Sequence, residues 1–568
     1  MNTPIIEFKD FSFQYKSQSS ATLHNINLTI NRGEKVLILG PSGSGKSTLA
    51  NCINGLVPFS YDGMITGTCE IAGRATKSAS IFDLSKTVGT VLQDSDAQFV
   101  GLSVGEDIAF SLENQSMPRS EMLPKVQKAS ELVGMEHFLL HVPYELSGGQ
   151  KQKVALAGVL HEDVDILIFD EPLASLDPWM GMMAVDLIDR IHREQSKTIV
   201  IIEHRLEDVL YRHVDRIILM NEGRIVFDGV PDTLLASDLL RQYGIREPLY
   251  IMAMKFAGCT FTENQCLSDI YGMDLEPFKE KLIKQQQLVL DKFTPECGEN
   301  ILEVSGVSFA YAEKLVLEDI SFSIRKGEKV AFVGKNGAGK STMAKLLCGI
   351  IRPNEGAISI HGLNYLKLSV KEIGEKIGYV MQNPNHMLVK DIIMDEIKLA
   401  LTLRGKSNAE IDEVVKQTLK MCGLYGMRNW PVSAVSYGQR KRVTIASILV
   451  LRPEIIILDE PTAGQDYRHY TEIMEFLEEL NKDYGITVVF ITHDMHLAIE
   501  YTDRALVFAE GQLIADDSVF KVLSNDTVIE KANLKQTSLY TLAKRLNMEP
   551  EAYIEHFITY ERLMREHE

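Results

Sequence analysis

Short runs of β-branched and aliphatic residues alternate along this chain with longer stretches whose apolar positions recur at helical spacing. Runs such as "TIVII" (198–202) and "IIIL" (455–458) have the length of strands buried in a parallel sheet. Strand runs separated by amphipathic helical stretches predict an α/β architecture built on mainly parallel sheets.

The pattern occurs twice. "GPSGSGKST" (40–48) returns as "GKNGAGKST" (334–342), "ILIFDEPLASLD" (166–177) as "IIILDEPTAGQD" (455–466), and "TIVIIEH" (198–204) as "TVVFITH" (487–493). "LSGGQKQKVALAGVL" (146–160) returns as "VSYGQRKRVTIASIL" (435–449), with Tyr437 where the first copy has Gly148. Such self-similarity predicts two domains of one fold, at 1–240 and 300–530. Between them, 241–299 is rich in Lys, Gln and Glu and has no counterpart, so it reads as a partly helical linker. The tail, 531–568, carries helical spacing of Leu, Ile and Tyr.

Composition narrows the function classes. With 568 residues, 45% apolar and 24% charged, the chain reads as an ordinary globular protein of several domains. Its formal net charge of −19 argues against a nucleic-acid partner, whose phosphates would be repelled. Seven cysteines without a CxxC pair suggest idle thiols in a reducing compartment. The start, "MNTPIIEFKDFSFQY", lacks the basic end and apolar core of a signal peptide. No apolar run reaches the roughly 18 residues of a membrane span. A cytosolic location is expected.

GxxxxGK[ST] between an apolar strand and a helix is the P-loop context. Its glycines let backbone N–H groups curl around a phosphate, and the helix N-terminus adds a favourable dipole. Candidate ATP-binding residues are Gly40, Ser42, Gly43, Gly45, Lys46, Ser47 and Thr48, and in the second copy Gly334, Asn336, Gly337, Gly339, Lys340, Ser341 and Thr342. Lys46 and Lys340 would reach the β/γ-phosphates, and Ser47 and Ser341 would ligate Mg²⁺. The strands "ILIFDE" and "IIILDE" each end in two carboxylates. Asp170 and Asp459 suit the Mg²⁺ shell, while Glu171 and Glu460 can polarise an attacking water as general bases. A solvated Asp-Glu turn is the bland alternative, made weaker by the same spacing from the P-loop in both copies.

With "LSGGQ" lying between P-loop and DEP, the sequence resembles two fused ATP-binding-cassette (ABC) ATPase domains, covering nearly all of the chain except the linker and tail. The resemblance implies two P-loop domains, each a mainly parallel sheet with helices plus a helical signature subdomain. It also implies that ATP is sandwiched between the P-loop of one cassette and the signature turn of the other, Ser147 and Gly149 or Ser436 and Gly438. An intramolecular sandwich is favoured because both halves are present and complementary. By position, Gln93 and Gln382 fit the Q-loop glutamine that senses Mg²⁺, and His204 and His493 fit the switch histidine at the γ-phosphate. Asp177 and Asp466 fit the loop that crosses the interface. Tyr15 and Tyr311 would stack on adenine, or simply pack beside Phe13 and Phe309. Tyr437 adds bulk where "VSYGQ" faces the first P-loop, so unequal sites are expected, with the Lys340/Glu460/Ser147 site carrying more turnover.

After the Q-loop glutamine, "QDSDAQF" (93–99) and "QNPNHM" (382–387) resemble the Q-N-P-D-x-Q stretch of the ATPases of energy-coupling factor (ECF) transporters. "IIEHRLEDVL" (201–210) resembles their switch region, with an Arg after the His. That family imports vitamins and transition-metal ions. The resemblance implies two partners, a separately encoded transmembrane coupling subunit and a small membrane protein that captures the substrate. It also implies a peripheral place on the cytoplasmic face of the cell membrane. The first copy has Asp94-Ser95 for Asn-Pro, and the second has Asn385 and Met387 for Asp and Gln. A tandem ATPase of a sugar importer is the runner-up, and a ribosome-associated tandem ABC factor comes third, opposed by the acidic charge. The substrate leans towards a thiamine precursor, with cobalt, nickel and other vitamins open.

Overall fold

In this computed structural model the described residues are 3–92, 98–146, 148–160, 164–174, 176–262, 265–288, 298–462 and 465–567. The chain divides into two compact units, Met1–Lys281 with Asp466–Arg468, and Leu282–Gln465 with His469–Glu568.

In the first unit the strands are β1 (Pro4–Tyr15), β2 (Leu23–Asn31), β3 (Lys35–Leu39), β4 (Gly63–Ile71), β5 (Arg74–Ala75), β6 (Val88–Val91), β7 (Ile166–Asp170), β8 (Thr198–Ile202), β9 (Arg216–Asn221) and β10 (Arg224–Gly229). They form an antiparallel sheet ordered β2-β1-β4-β5 and a six-stranded sheet ordered β10-β9-β3-β8-β7-β6. The second sheet is parallel except for β10, which returns beside β9. Every residue of β3 and β8 is buried, which explains their unbroken apolar composition, since water meets neither face.

The second unit repeats the plan with β11 (Asn300–Tyr311), β12 (Lys314–Arg325), β13 (Lys329–Val333), β14 (Glu355–Ile360), β15 (Leu363–Asn364), β16 (Ile377–Val380), β17 (Ile455–Asp459), β18 (Thr487–Ile491), β19 (Arg504–Ala509) and β20 (Gln512–Ser518). Its sheets run β12-β11-β14-β15 and β16-β17-β18-β13-β19-β20. In each unit the core lies between the two sheets, where residues such as Phe8, Phe13 and Ile30 meet Ile38, Ile168 and Val200, or Phe322 meets Phe332. Each such side chain contributes about 1.5–3 kcal/mol on burial.

A helical part flanks each large sheet, made of Val104–Asn114, Arg119–Val133 and Gly148–Leu160 in one unit, and Ile393–Leu403, Asn408–Met421 and Tyr437–Leu449 in the other. A glycine lets the last helix of each trio approach its sheet. A Cβ on Gly89 would lie 2.1 Å from Val159 Cγ1, and one on Gly378 would lie 2.1 Å from Ile448 Cγ2.

The segment read as a polar linker contains the helices Leu249–Phe256 and Glu276–Gln286. Leu249, Tyr250, Ile251, Met254, Leu267 and Met273 are buried in it. Tyr250 donates its hydroxyl to the carbonyl of Leu267 at 2.5 Å, and Ser268 donates its N–H to Asp232 Oδ1 at 2.9 Å. The tail forms the helices Ser538–Arg545 and Pro550–His567, and Arg562 donates to the Thr502 carbonyl at 2.8 Å and to Asp503 Oδ1 at 3.2 Å. Among the described residues no helix is long and apolar enough to cross a membrane. Cys52, Cys69, Cys259, Cys348 and Cys422 are buried free thiols, and burial pushes those of Cys69, Cys348 and Cys422 up to about 12.

Candidate functional site

Register aligns the chemistry. Ile38 at the end of β3 pairs with Ile202 at the end of β8, and Asp170 at the end of β7 pairs with the same Ile202. The P-loop, the Asp-Glu pair and His204 therefore leave three adjacent parallel strands at one carboxyl edge, where open α/β sheets bind ligands. Phe332 and Asp459 meet Ile491 in the same way in the second unit.

Both P-loops curl back on themselves. Lys46 Nζ donates to the carbonyls of Gly40 at 2.8 Å and Pro41 at 3.0 Å, and Lys340 Nζ donates to those of Gly334 at 2.6 Å and Lys335 at 3.0 Å. Burial lowers the Lys46 ammonium from its ordinary value, opposed by the nearby Glu171 carboxylate. Gly40 and Gly334 pass so close to β9 and β19 that a Cβ would lie 2.3 Å from the Met220 carbonyl oxygen or 2.1 Å from that of Phe508. Gly45 and Gly339 precede the helices Lys46–Ile53 and Lys340–Leu347 without placing a cap side chain on their first N–H groups. The loop tips, Ser42 with Gly43 and Asn336 with Gly337, are exposed, as are Ser47 and Ser341, while Thr48 is buried and Thr342 half-buried. These are the features of an anion cradle.

Ser47 stands close enough to Asp170, and Ser341 to Asp459, to pull each carboxyl down, so each unit brings its two predicted metal-binding side chains together. Burial, then the adjacent Glu171, holds the Asp170 carboxyl above its ordinary value. Its Oδ1 is buried without a hydrogen-bond partner. Burial also raises Asp459, although Tyr379 donates its hydroxyl to Asp459 Oδ2 at 2.7 Å.

The predicted base and switch histidine touch in both units. Glu171 Oε1 lies 3.0 Å from His204 Nε2, and Glu460 Oε1 lies 2.6 Å from His493 Nδ1. Each glutamate is anchored by its backbone N–H on the neighbouring strand, Glu171 to the Ile202 carbonyl and Glu460 to that of Ile491, both at 2.9 Å. Both adopt left-handed backbone, with φ of 50° at Glu171 and 44° at Glu460. In the first unit, buried Glu203 accepts the N–H groups of Leu173 and His204, each at 2.8 Å, and that of Arg205 at 3.1 Å. Burial raises its carboxyl above the ordinary value, opposed by Arg205. The matching residue of the second unit is Thr492, and there Glu460 itself accepts the His493 N–H at 3.1 Å.

Tyr15 joins its hydroxyl to Thr48 Oγ1 at 3.0 Å and stands edge-on to Phe13 and Tyr61. Tyr311 stands edge-on to Phe309 and is 45% exposed. Ser436 caps the helix Tyr437–Leu449 by accepting the Gln439 N–H at 3.2 Å, and Tyr437 is exposed at its first position. Gly149 lies against Met180 and Gly438 against His469. Ser147 and Gln93 lie outside the described residues.

Side chains near the Q-loops add features that motif matching passes over. In the first unit Gln98 accepts the Leu92 N–H at 3.0 Å and donates to the Thr90 carbonyl at 3.3 Å. At the matching position in the second unit, Met387 accepts the Met381 N–H on sulfur at 3.1 Å. Buried Lys441, in the signature helix, donates to the carbonyls of Met381 at 3.0 Å and Gln382 at 2.7 Å. Burial brings its ammonium down to about 8, against the pull of Asp459 and Glu460. The first copy has Gln152 there, bonded to the Pro172 carbonyl. Only the inequality of matched positions, Thr90 with Tyr379 and Gln152 with Lys441, marks these residues in the sequence.

The chain is similar to known proteins along nearly its whole length. The family described as ABC transporter matches residues 23–174 and 317–463, and that described as ATP-binding cassette cobalt transporter matches 237–309. A putative ABC transporter ATP-binding protein of Clostridium perfringens is 55% identical over 98% of this chain and 98% of its own length. One of Enterococcus faecalis is 54% identical over 100% of both, and one of Vibrio vulnificus is 51% identical over 99% of this chain and 98% of its own. A solved structure of cbiO1 from Clostridium perfringens, described as part of the ABC transporter complex cbiONQ, is 32% identical and covers 44% of this chain and 100% of its own, with a TM-score of 0.39.

Proposed function

The chain belongs to the ABC transporter ATP-binding protein family, an ATPase with two cassettes in tandem, and on that premise we propose that it energises an ECF-type importer of a vitamin, a vitamin precursor or a transition-metal ion. The observation that carries this reading is the segment 237–309, which fits the family described as ATP-binding cassette cobalt transporter. That segment joins the switch region of the first cassette, because Leu249 donates its N–H to Glu207 at 2.9 Å, three residues beyond His204. The sequences after Gln93 and Gln382 support the same reading.

Each cassette binds ATP through its P-loop, and the signature turns complete the two sites as the family resemblance implies. Lys46 and Lys340 exchange their carbonyl contacts for the β/γ-phosphates. Glu171 and Glu460 take a proton from the attacking water, each oriented by its histidine. The buried, unpartnered Oδ1 of Asp170 beside Ser47 suits a divalent cation. Mg²⁺ would be held there and by Ser341 with Asp459, with Gln93 and Gln382 adjoining, and it supplies neutralisation of phosphate charge. ATP binding closes the cassettes, hydrolysis reopens them, and docked membrane helices follow. On this reading the chain works at the cytoplasmic face of the membrane.

The test is affinity purification of the tagged chain from solubilised host membranes with mass spectrometry of its companions. A large multi-span protein together with a small membrane protein is the expected result. Ribosomal proteins without membrane proteins overturn it in favour of a translation factor, and a multi-span permease with a soluble sugar-binding protein overturns it in favour of a sugar importer.

A further inference from the structure

We propose that Lys441 is a positioning residue of the second ATP site, fixing the backbone of the Q-loop from the signature helix. The proposal rests on the reading of Lys340, Asp459 and Glu460 as one hydrolytic site.

The stretch from Tyr379 to Gln382 is held at both ends. At one end the Tyr379 hydroxyl donates to Asp459 Oδ2 at 2.7 Å. At the other, Lys441 Nζ donates to the carbonyls of Met381 and Gln382 at 3.0 and 2.7 Å. A short segment thus ties the signature helix to the Asp459 carboxylate. The two cassettes hold this turn differently. In the first cassette Gln98 supplies both an acceptor and a donor to the end of β6. As a thioether Met387 accepts the Met381 N–H and donates nothing, and the Met381 and Gln382 carbonyls take their donors from elsewhere. Lys441 supplies those donors, and as an ammonium it makes the stronger, charge-assisted kind of hydrogen bond. The matching residue of the first cassette, Gln152, bonds the Pro172 carbonyl.

The experiment uses the full chain carrying Glu171→Gln, so that turnover reads the second site. Lys441→Gln is expected to lower kcat about tenfold, as loss of a positioning contact does, while ATP affinity and melting temperature hold. Lys441→Arg, which keeps a charged donor in the place of the ammonium, is expected to retain most of kcat. Unchanged kcat in Lys441→Gln overturns the proposal. So does an equal loss in Lys441→Arg, or a loss that follows a fall in melting temperature, since both mark simple packing. Glu460→Gln in the same background separates the two readings. If it keeps turnover, the site assignment fails and the proposal with it, whereas a loss there beside an intact Lys441→Gln overturns the positioning role alone.

Discussion

In the first cassette Glu171 meets the Nε2 of His204 at 3.0 Å, whereas in the second Glu460 meets the Nδ1 of His493 at 2.6 Å. The difference traces to one position. Glu203 accepts the His204 N–H and so frees Glu171 from that duty, while Thr492 cannot take its place and Glu460 accepts the His493 N–H as well. An ionised glutamate accepts from whichever ring nitrogen carries the proton, so the two histidines turn opposite nitrogens away from their glutamates. Two copies of one motif can thus present different tautomers to a nucleotide, because a neighbour outside the motif sets the ring's orientation.

The strongest way to break this comparison is to remove the bases one at a time. Glu460→Gln is expected to lower the ATPase rate of the full chain about 100-fold, the scale of a lost general base, and Glu171→Gln only a few-fold. Equal losses, or the reverse order, in steady-state phosphate release would end the claim of unequal sites. A second intervention probes what the cassettes share. Gly89→Ala and Gly378→Ala each force a methyl against a helix side chain, at a cost of about 1–3 kcal/mol. Calorimetry should show similar losses from both, and a loss from one alone would mean that the two helical parts pack differently.

Smaller effects sharpen the contrast further. Tyr379→Phe removes a hydrogen bond that Thr90 does not make, worth about 1 kcal/mol, so kcat should fall about fivefold while Thr90→Val leaves it unchanged. The least effect is expected from Tyr437→Gly. With Glu460→Gln silencing the second site, it should raise the residual rate about twofold, roughly 0.4 kcal/mol. No rise would clear the tyrosine of slowing the first site.

Much of this architecture was legible because it is written locally. The unbroken apolar runs of β7, β8, β17 and β18 and the glycines of the P-loops carry their meaning within a few residues. The Glu–His pairs were legible as residues, but the choice of ring nitrogen was not, since it depends on Glu203 and Thr492 folding beside another strand's end. In the sequence Lys441 is one of three consecutive basic residues, 440–442, with nothing to set it apart. Its burial appears only when the Q-loop, some sixty residues earlier in sequence, comes to lie across it. The segment 241–299 hid its apolar anchors, Leu249, Ile251 and Met254 among them, inside a polar composition. Gln98 and Met387 occupy matching places after the Q-loop glutamines, and only the fold shows that each bonds the end of its own strand.

The left-handed backbone at Glu171 and Glu460 carries one more consequence. A side chain held there costs each position about 1 kcal/mol that glycine would not incur. A population of this protein selected in the laboratory for heat resistance alone would therefore drift towards glycine or asparagine at both places, surrendering its chemistry while gaining robustness. The two glutamates mark where fitness and durability pull in opposite directions.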